Sequence, residues 1–101
     1  MSFKCDRPAI GTLQDDNDRV RITRWELPPH SSIGWHEHGL PYCVVMVTDG
    51  TLSVHDGTNV SETTLRAGQS YSRPAGVRHD VMNATGQPLT FIEVELKGSI
   101  V

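Results

Sequence analysis

Apolar and polar positions alternate over short spans of this chain, and no helical period persists across a long window. RVRITRWEL (19–27), YCVVMVT (42–48), TLSVH (51–55), QSYSR (69–73), VRHDVMNA (77–84) and LTFIEVEL (89–96) are rich in β-branched and aromatic residues. SIGWHEH (32–38) and SETTLRAG (61–68) add two further extended pieces. Turn-forming residues separate them: Pro28-Pro29, Gly39-Leu40-Pro41, Asp49-Gly50, Asp56-Gly57 and Pro74-Ala75-Gly76. Asp49-Gly50 is a dipeptide favoured in tight hairpins, so TLSVH is expected to pair back on YCVVMVT. About seven to nine short strands with regular turn signals predict an antiparallel sandwich or barrel with little or no helix.

The chain's 101 residues are expected to form one domain, with an N-terminal segment over 1–17 that supplies an extra edge strand, a body over 18–97 and a tail over 98–101. Nine Lys and Arg stand against twelve Asp and Glu, for a net charge of −3. No basic run interleaved with aromatics and no polybasic anchor is present, which argues against nucleic-acid and membrane partners. No apolar stretch reaches the length of a membrane span, and a cytoplasmic protein is expected. Two cysteines do not make a disulfide framework, so Cys5 and Cys43 read as free thiols, Cys5 an incidental one.

The histidines carry the chemistry. On a strand, residues two apart share a face, so His36 and His38 should look at one target. His79 follows a Pro-x-Gly turn that aims a strand back into the body. His55, beside Asp56-Gly57, reads as a solvated loop residue. Alternation along YCVVMVT sets Cys43, Val45 and Val47 on one face and Tyr42, Val44 and Met46 on the other. Tyr71 and Arg73 share a face, from which Arg73 would bind a substrate carboxylate if it points inward. Phe91, Glu93 and Glu95 also share a face; a charged outer face is the simpler expectation, and an inward Phe91 would instead bring Glu93 to the site. Trp25 and Trp35 are expected on strands, packed in the core or against a partner subunit.

The order Gly68-QSYSR-Pro74-Ala75-Gly76-VR-His79-DVM-Asn83 matches the second cupin motif without a departure. The first motif, Gly-x5-His-x-His-x4-Glu-x6-Gly, aligns on His36, His38 and Gly50, with His30 in place of its first Gly and Cys43 in place of its Glu. The chain therefore resembles a small single-domain bacterial cupin, similar to those assigned to β-alanine degradation. The resemblance implies a double-stranded β-helix, or jelly-roll barrel, whose metal ligands would be His36, His38 and His79. Imidazole suits Fe, Ni, Zn and Cu; Fe(II) is the favoured ion, with Ni, Zn, Mn or Cu as alternatives. Because a ligating His is neutral, metal affinity is expected to fall below a pH of about 6.

His30 is read as a tolerated substitution, since His is enriched at positive φ; a fourth imidazole ligand is the alternative. At the Glu position Cys43 would face the metal, either as a small apolar wall or as a thiolate ligand favouring Zn. Thiol dioxygenases, three-His iron cupins, place there a cysteine linked to a later tyrosine; here no tyrosine follows Tyr71, so that crosslink cannot form. The resemblance implies a metal-binding cupin that takes a small molecule, with dioxygenase-like oxidation of a small organic acid or thiol as the leading activity. A non-catalytic metal or ligand module, a sensor or accessory protein, and a sugar or keto-acid isomerase are the alternatives. A homodimer is expected from the sheet edges and from the resemblance.

Overall fold

The structure, a computed structural model, describes residues 6–98; Cys5 and the end of the tail lie outside them. Among the described residues there are eleven strands and no helix. The chain opens with β1 (Arg7–Pro8), β2 (Ile10–Asp16), β3 (Val20–Leu27), β4 (Ser31–Ser32), β5 (His36–Glu37) and β6 (Tyr42–Met46). It continues through β7 (Gly50–His55), β8 (Val60–Leu65), β9 (Ser70–Arg73), β10 (Arg78–Asn83) and β11 (Leu89–Leu96). One sheet runs β1-β4-β10-β7-β8, with β5 also on β10, and the other runs β2-β3-β11-β6-β9. The alternating segments found in the sequence thus become the two layers of an all-β jelly roll.

The sheets face one another across a core of Leu27, Tyr42, Val44, Met46, Leu52, Val81, Leu89 and Phe91. Period-two alternation decides which side chains enter it: Tyr42, Val44 and Met46 of β6 point inward, and so do Phe91 and Leu89 of β11. Consecutive strands here mostly belong to different sheets, which corrects the hairpin expected at Asp49-Gly50. β6 pairs with β11 and β9, whereas β7 pairs with β10 and β8. The chain crosses between layers at residues 47–49, and Gly50 lands against Leu89, whose Cβ lies 2.8 Å from where a Gly50 Cβ would stand. Glycine is needed there for close approach rather than for a two-residue turn. Asp56-Gly57 does close a hairpin, β7 to β8, with Gly57 at φ 99° and the Asp56 N–H donating to Asn59 O.

Asn83, the last residue of the second motif, is completely buried and ties three chain segments together. Its amide donates to Leu27 O (3.0 Å), Pro28 O (3.3 Å) and Gln87 O (2.7 Å), while its Oδ1 accepts from the Thr85 N–H and hydroxyl. Removing it leaves several buried backbone groups without partners, each costing roughly 1–3 kcal/mol. Asn83→Ala is expected to lower the unfolding free energy by about 3 kcal/mol in urea titrations; a loss below about 1 kcal/mol would mean that water replaces the side chain at little cost.

Candidate metal centre

β10 forms one wall of the centre, and the segment Ser31–His38 is laid along it in two short ladders. Met82 and Asn83 pair with Ser32 and Ser31; Arg78 and His79 pair with Glu37 and His36. Three residues, Ile33 to Trp35, therefore stand opposite two, Asp80 and Val81. This extra residue interrupts the single strand expected over 32–38, and it resets the alternation so that His36 joins the face of His79. Gly34, at φ 100°, makes the turn. Asp80 fills the opening: its carboxylate accepts from the Ser32 hydroxyl (2.8 Å) and from the Gly34 N–H (3.0 Å). The Gly34 carbonyl in turn accepts from Nδ1–H of His36 at 2.7 Å.

The expectation that His36, His38 and His79 converge is met in the geometry. Nε2 of His38 lies 3.0 Å from Nε2 of His36 and 3.1 Å from Nε2 of His79. The His38 ring stacks on Tyr42 with centroids 3.8 Å apart. Because Nδ1 of His36 is the donor to Gly34, its Nε2 presents a lone pair. Burial, followed by the neighbouring His36, pushes His38 down to about 4; burial, followed by His36, His38 and Arg73, does the same for His79. These two rings thus stay neutral well below the pH of about 6 expected from the reference imidazole. Three ring nitrogens so close cannot all be satisfied by one another, since one N–H of His38 serves a single lone pair well. One ion at about 2.0–2.1 Å from each nitrogen spans such spacings at near-right angles, so the residues fit a transition metal with open positions.

Two cavities flank the cluster. One of about 390 Å³ is lined by Tyr42, Leu52, Val54, Tyr71, Arg73 and His79. The other, about 340 Å³, is lined by Trp25, Ile33, His36, His38, Glu93 and Glu95. Tyr71 and Arg73 therefore reach the same cavity as His79, with Arg73 exposed and, among the described residues, in no ion pair. Burial raises both tyrosines, Tyr42 to about 12, so their hydroxyls remain protonated donors.

Glu93 is the residue that the charged-outer-face expectation misplaced. It is only 9% exposed, shares the inner face with Phe91, and forms with His38 and Glu95 a second group of ligand atoms within 4.8 Å of one another. Burial, with Glu95 adding to it, raises its carboxyl to about 7. Its sequence signal was Phe91 two residues earlier, a large aromatic that has to be inside.

Cys43 goes the other way. It pairs with Val94 and Ser72 on the outer face and belongs to neither ligand group among the described residues, because Tyr42 takes the inward position beside His38. His30 sits at φ 59°, the left-handed conformation anticipated for a residue in a glycine's place, and it too is outside both groups. His55 closes β7, where its Nδ1 accepts from the Gly57 N–H, and its ring meets Trp35 edge-on at 6.4 Å. Trp25 packs against the core from β3, but Trp35 is 55% exposed in the turn between β4 and β5 rather than in a strand.

Comparison with known proteins agrees with this geometry. Residues 23–95 match the sequence model of the family described as "Cupin domain". The chain is 43% identical over 89 residues to the β-alanine degradation protein BauB of Pseudomonas aeruginosa, covering 88% of this chain and 94% of that one. A crystal structure of a cupin domain from Bordetella pertussis superposes with a TM-score of 0.88 at 41% identity, over 92% of this chain and 98% of that one. An RmlC-like cupin with a double-stranded β-helix fold from Methanocaldococcus jannaschii gives 0.75 at 16% identity, over 95% and 87%, and so shares the fold. The convergent histidines, the two-layer jelly roll and these likenesses together make this chain a member of the cupin family.

Proposed function

We propose that the protein is a metal-dependent cupin that oxidises a small organic acid or thiol, with His36, His38 and His79 as the ligands. The observation that carries it is the convergence of three imidazoles, with Nε2 of His38 3.0 and 3.1 Å from those of His36 and His79, beside a cavity of about 390 Å³. A divalent ion held there, Fe(II) in the favoured case, would supply a Lewis acid and a redox centre for adding both atoms of O2 to the substrate. The chain's own groups then bind and orient. Arg73 at the rim offers a fork for a carboxylate, the Tyr42 and Tyr71 hydroxyls offer protons for hydrogen bonds, and Leu52 and Val54 form a dry wall. The β-alanine degradation name of a 43% identical relative supports a small carboxylic acid as the substrate class.

The same reading takes the protein as a cytoplasmic homodimer. Val45 and Val47 are exposed beside Cys43 on the outer face of the five-stranded sheet, with Leu96 exposed at the end of β11, and a second copy would cover them. Sedimentation should report about twice the chain mass; a monomer at tens of micromolar protein would overturn the dimer.

Elemental analysis of the purified protein should find about one transition-metal ion per chain, and His79→Ala should lose it. After anaerobic loading with Fe(II), an oxygen electrode is expected to register uptake with a small thiol or a keto or amino acid. Arg73→Ala should raise KM for a carboxylate substrate roughly tenfold with kcat little changed. Metal without uptake on any such compound would leave a binding module or an isomerase; less than a tenth of an equivalent of metal would remove the centre itself.

The pH dependence of the chelator-treated protein provides a separate check. Unfolded His38 and His79 take up protons near 6.5, but folded they resist until about 4, so their contribution to stability falls as the pH drops through that window. Glu93 works in the opposite sense: folded it holds its proton to about 7 and unfolded to about 4.5, so its contribution falls as the pH rises. In urea titrations His79→Gln should flatten the acid-side loss, and Glu93→Gln should gain on wild type between pH 4.5 and 7. Parallel pH profiles for all three proteins would show that burial does not perturb these groups.

A further inference from the structure

The three imidazoles are not equally supported. His36 has its second ring nitrogen fixed by the Gly34 carbonyl at 2.7 Å. Both hydrogen bonds of the His38 ring run through Nε2, and the face of that ring is covered by Tyr42. A histidine that ligates through Nε2 carries a proton on Nδ1, and in a ring only 5% exposed an acceptor from the protein fixes that proton, and with it the ring, better than passing water does.

Two carboxylates stand within reach, since the ligand oxygens of Glu93 and Glu95 lie within 4.8 Å of a His38 ring nitrogen and of each other. They are not equivalent. Glu95 is engaged by Arg21, whose Nη1 is 3.6 Å from its Oε1. Glu93 is more than nine-tenths buried, pairs across β11 and β6 with the apolar Val44, and has neither hydrogen bond nor ion pair among the described residues. Its carboxyl, on a side chain this far from bulk water and lining the cavity beside His36 and His38, is open to a partner from the site.

We propose that Glu93 is the positioning residue of this centre: its carboxylate accepts the Nδ1 proton of His38 and holds the ring with Nε2 turned toward the ion. The inference rests on the three-histidine reading of the site. It also gives the carboxylate that the first motif lacks a different place and a different task, on β11 and behind a ligand rather than on β6 and against the ion.

The test uses the full chain stripped of metal and titrated with Co(II) and Zn(II) against a chromophoric chelator, with the Co(II) absorption spectrum as a second readout. Glu93→Leu should weaken binding by about 10- to 100-fold and shift the Co(II) bands; Glu93→Gln, which keeps a neutral acceptor, should fall between it and wild type. Glu95→Gln should stay within about threefold of wild type with an unchanged spectrum, because Arg21 already engages Glu95. Glu93→Leu that binds like wild type overturns the relay while leaving the centre intact, and wild type that binds neither ion overturns both. Should Glu93→Leu fail to fold, Glu93→Gln decides alone: unchanged affinity and an unchanged Co(II) spectrum overturn the proposal.

Discussion

The centre depends on one residue in excess. Between the pair Ser32–Met82 and the pair His36–His79, one strand spends three residues where the other spends two. Were the ladder regular, the odd-numbered positions that turn Ser31 inward would continue, and His36 and His38 would face solvent. The excess residue inverts that parity, and the opening it makes is filled by the Asp80 carboxylate, which binds Ser32 and Gly34 and so stiffens the turn. Beyond it the chain is fastened again, His38 N–H to Val77 O at 2.8 Å and Gly76 N–H to His38 O at 2.7 Å. The histidine pair is thus clamped on both sides to the segment that carries the third histidine.

The opposite wall is graded. Along the inner face of the five-stranded sheet the cross-strand rows run from Leu27 with Leu89, through Trp25, Phe91 and Met46, to Thr23, Glu93, Val44 and Tyr71, and end with Arg21, Glu95, Tyr42 and Arg73. The first rows supply the dry interior and the last supply charge. His38 and His79 sit where the two meet, buried enough that their protonated forms are disfavoured and close enough to polar groups for ligand chemistry. A centre deeper in the apolar rows would have no room for substrate; one farther out would titrate like free imidazole.

Strand positions were legible from β-branched runs between turn residues, and the histidine trio from the match to the two cupin motifs, with i and i+2 on one face and a Pro-x-Gly turn ahead of His79 as local support. Face assignment was not. Alternation tells which residues go together but not which set goes inside, and here the outer set, Cys43, Val45, Ile92 and Val94, is as apolar as the inner one, while the inner set of β11 includes two glutamates. Charge therefore pointed Glu93 outward, and the motif position of Cys43 pointed it inward, each opposite to its place in the fold. The crossing at residues 47–49 was hidden for a related reason. Asp49-Gly50 has hairpin chemistry, but its glycine is required by the approach of Leu89, a contact 39 residues away that no local rule contains.

These features bear on why so small a barrel tolerates a polar interior. Two histidines, a glutamate and an asparagine are buried, with His36 partly buried beside them, in a chain of 101 residues, where the apolar core alone is modest. Asn83 is satisfied at both ends of its amide and adds order at the end of β10, close to Leu27 and Leu89 in the driest rows. The histidines and Glu93 are not satisfied in that way, and they occupy the other end of the same inner faces. Among the described residues Asn83 is completed within the scaffold, where the Ser31 hydroxyl and the Trp25 indole N–H are the buried groups left without a partner, while the histidines and Glu93 gather where an ion and a ligand would complete them. Asn83 and the histidine cluster thus sit at opposite ends of the same inner faces, along strands only six to eight residues long.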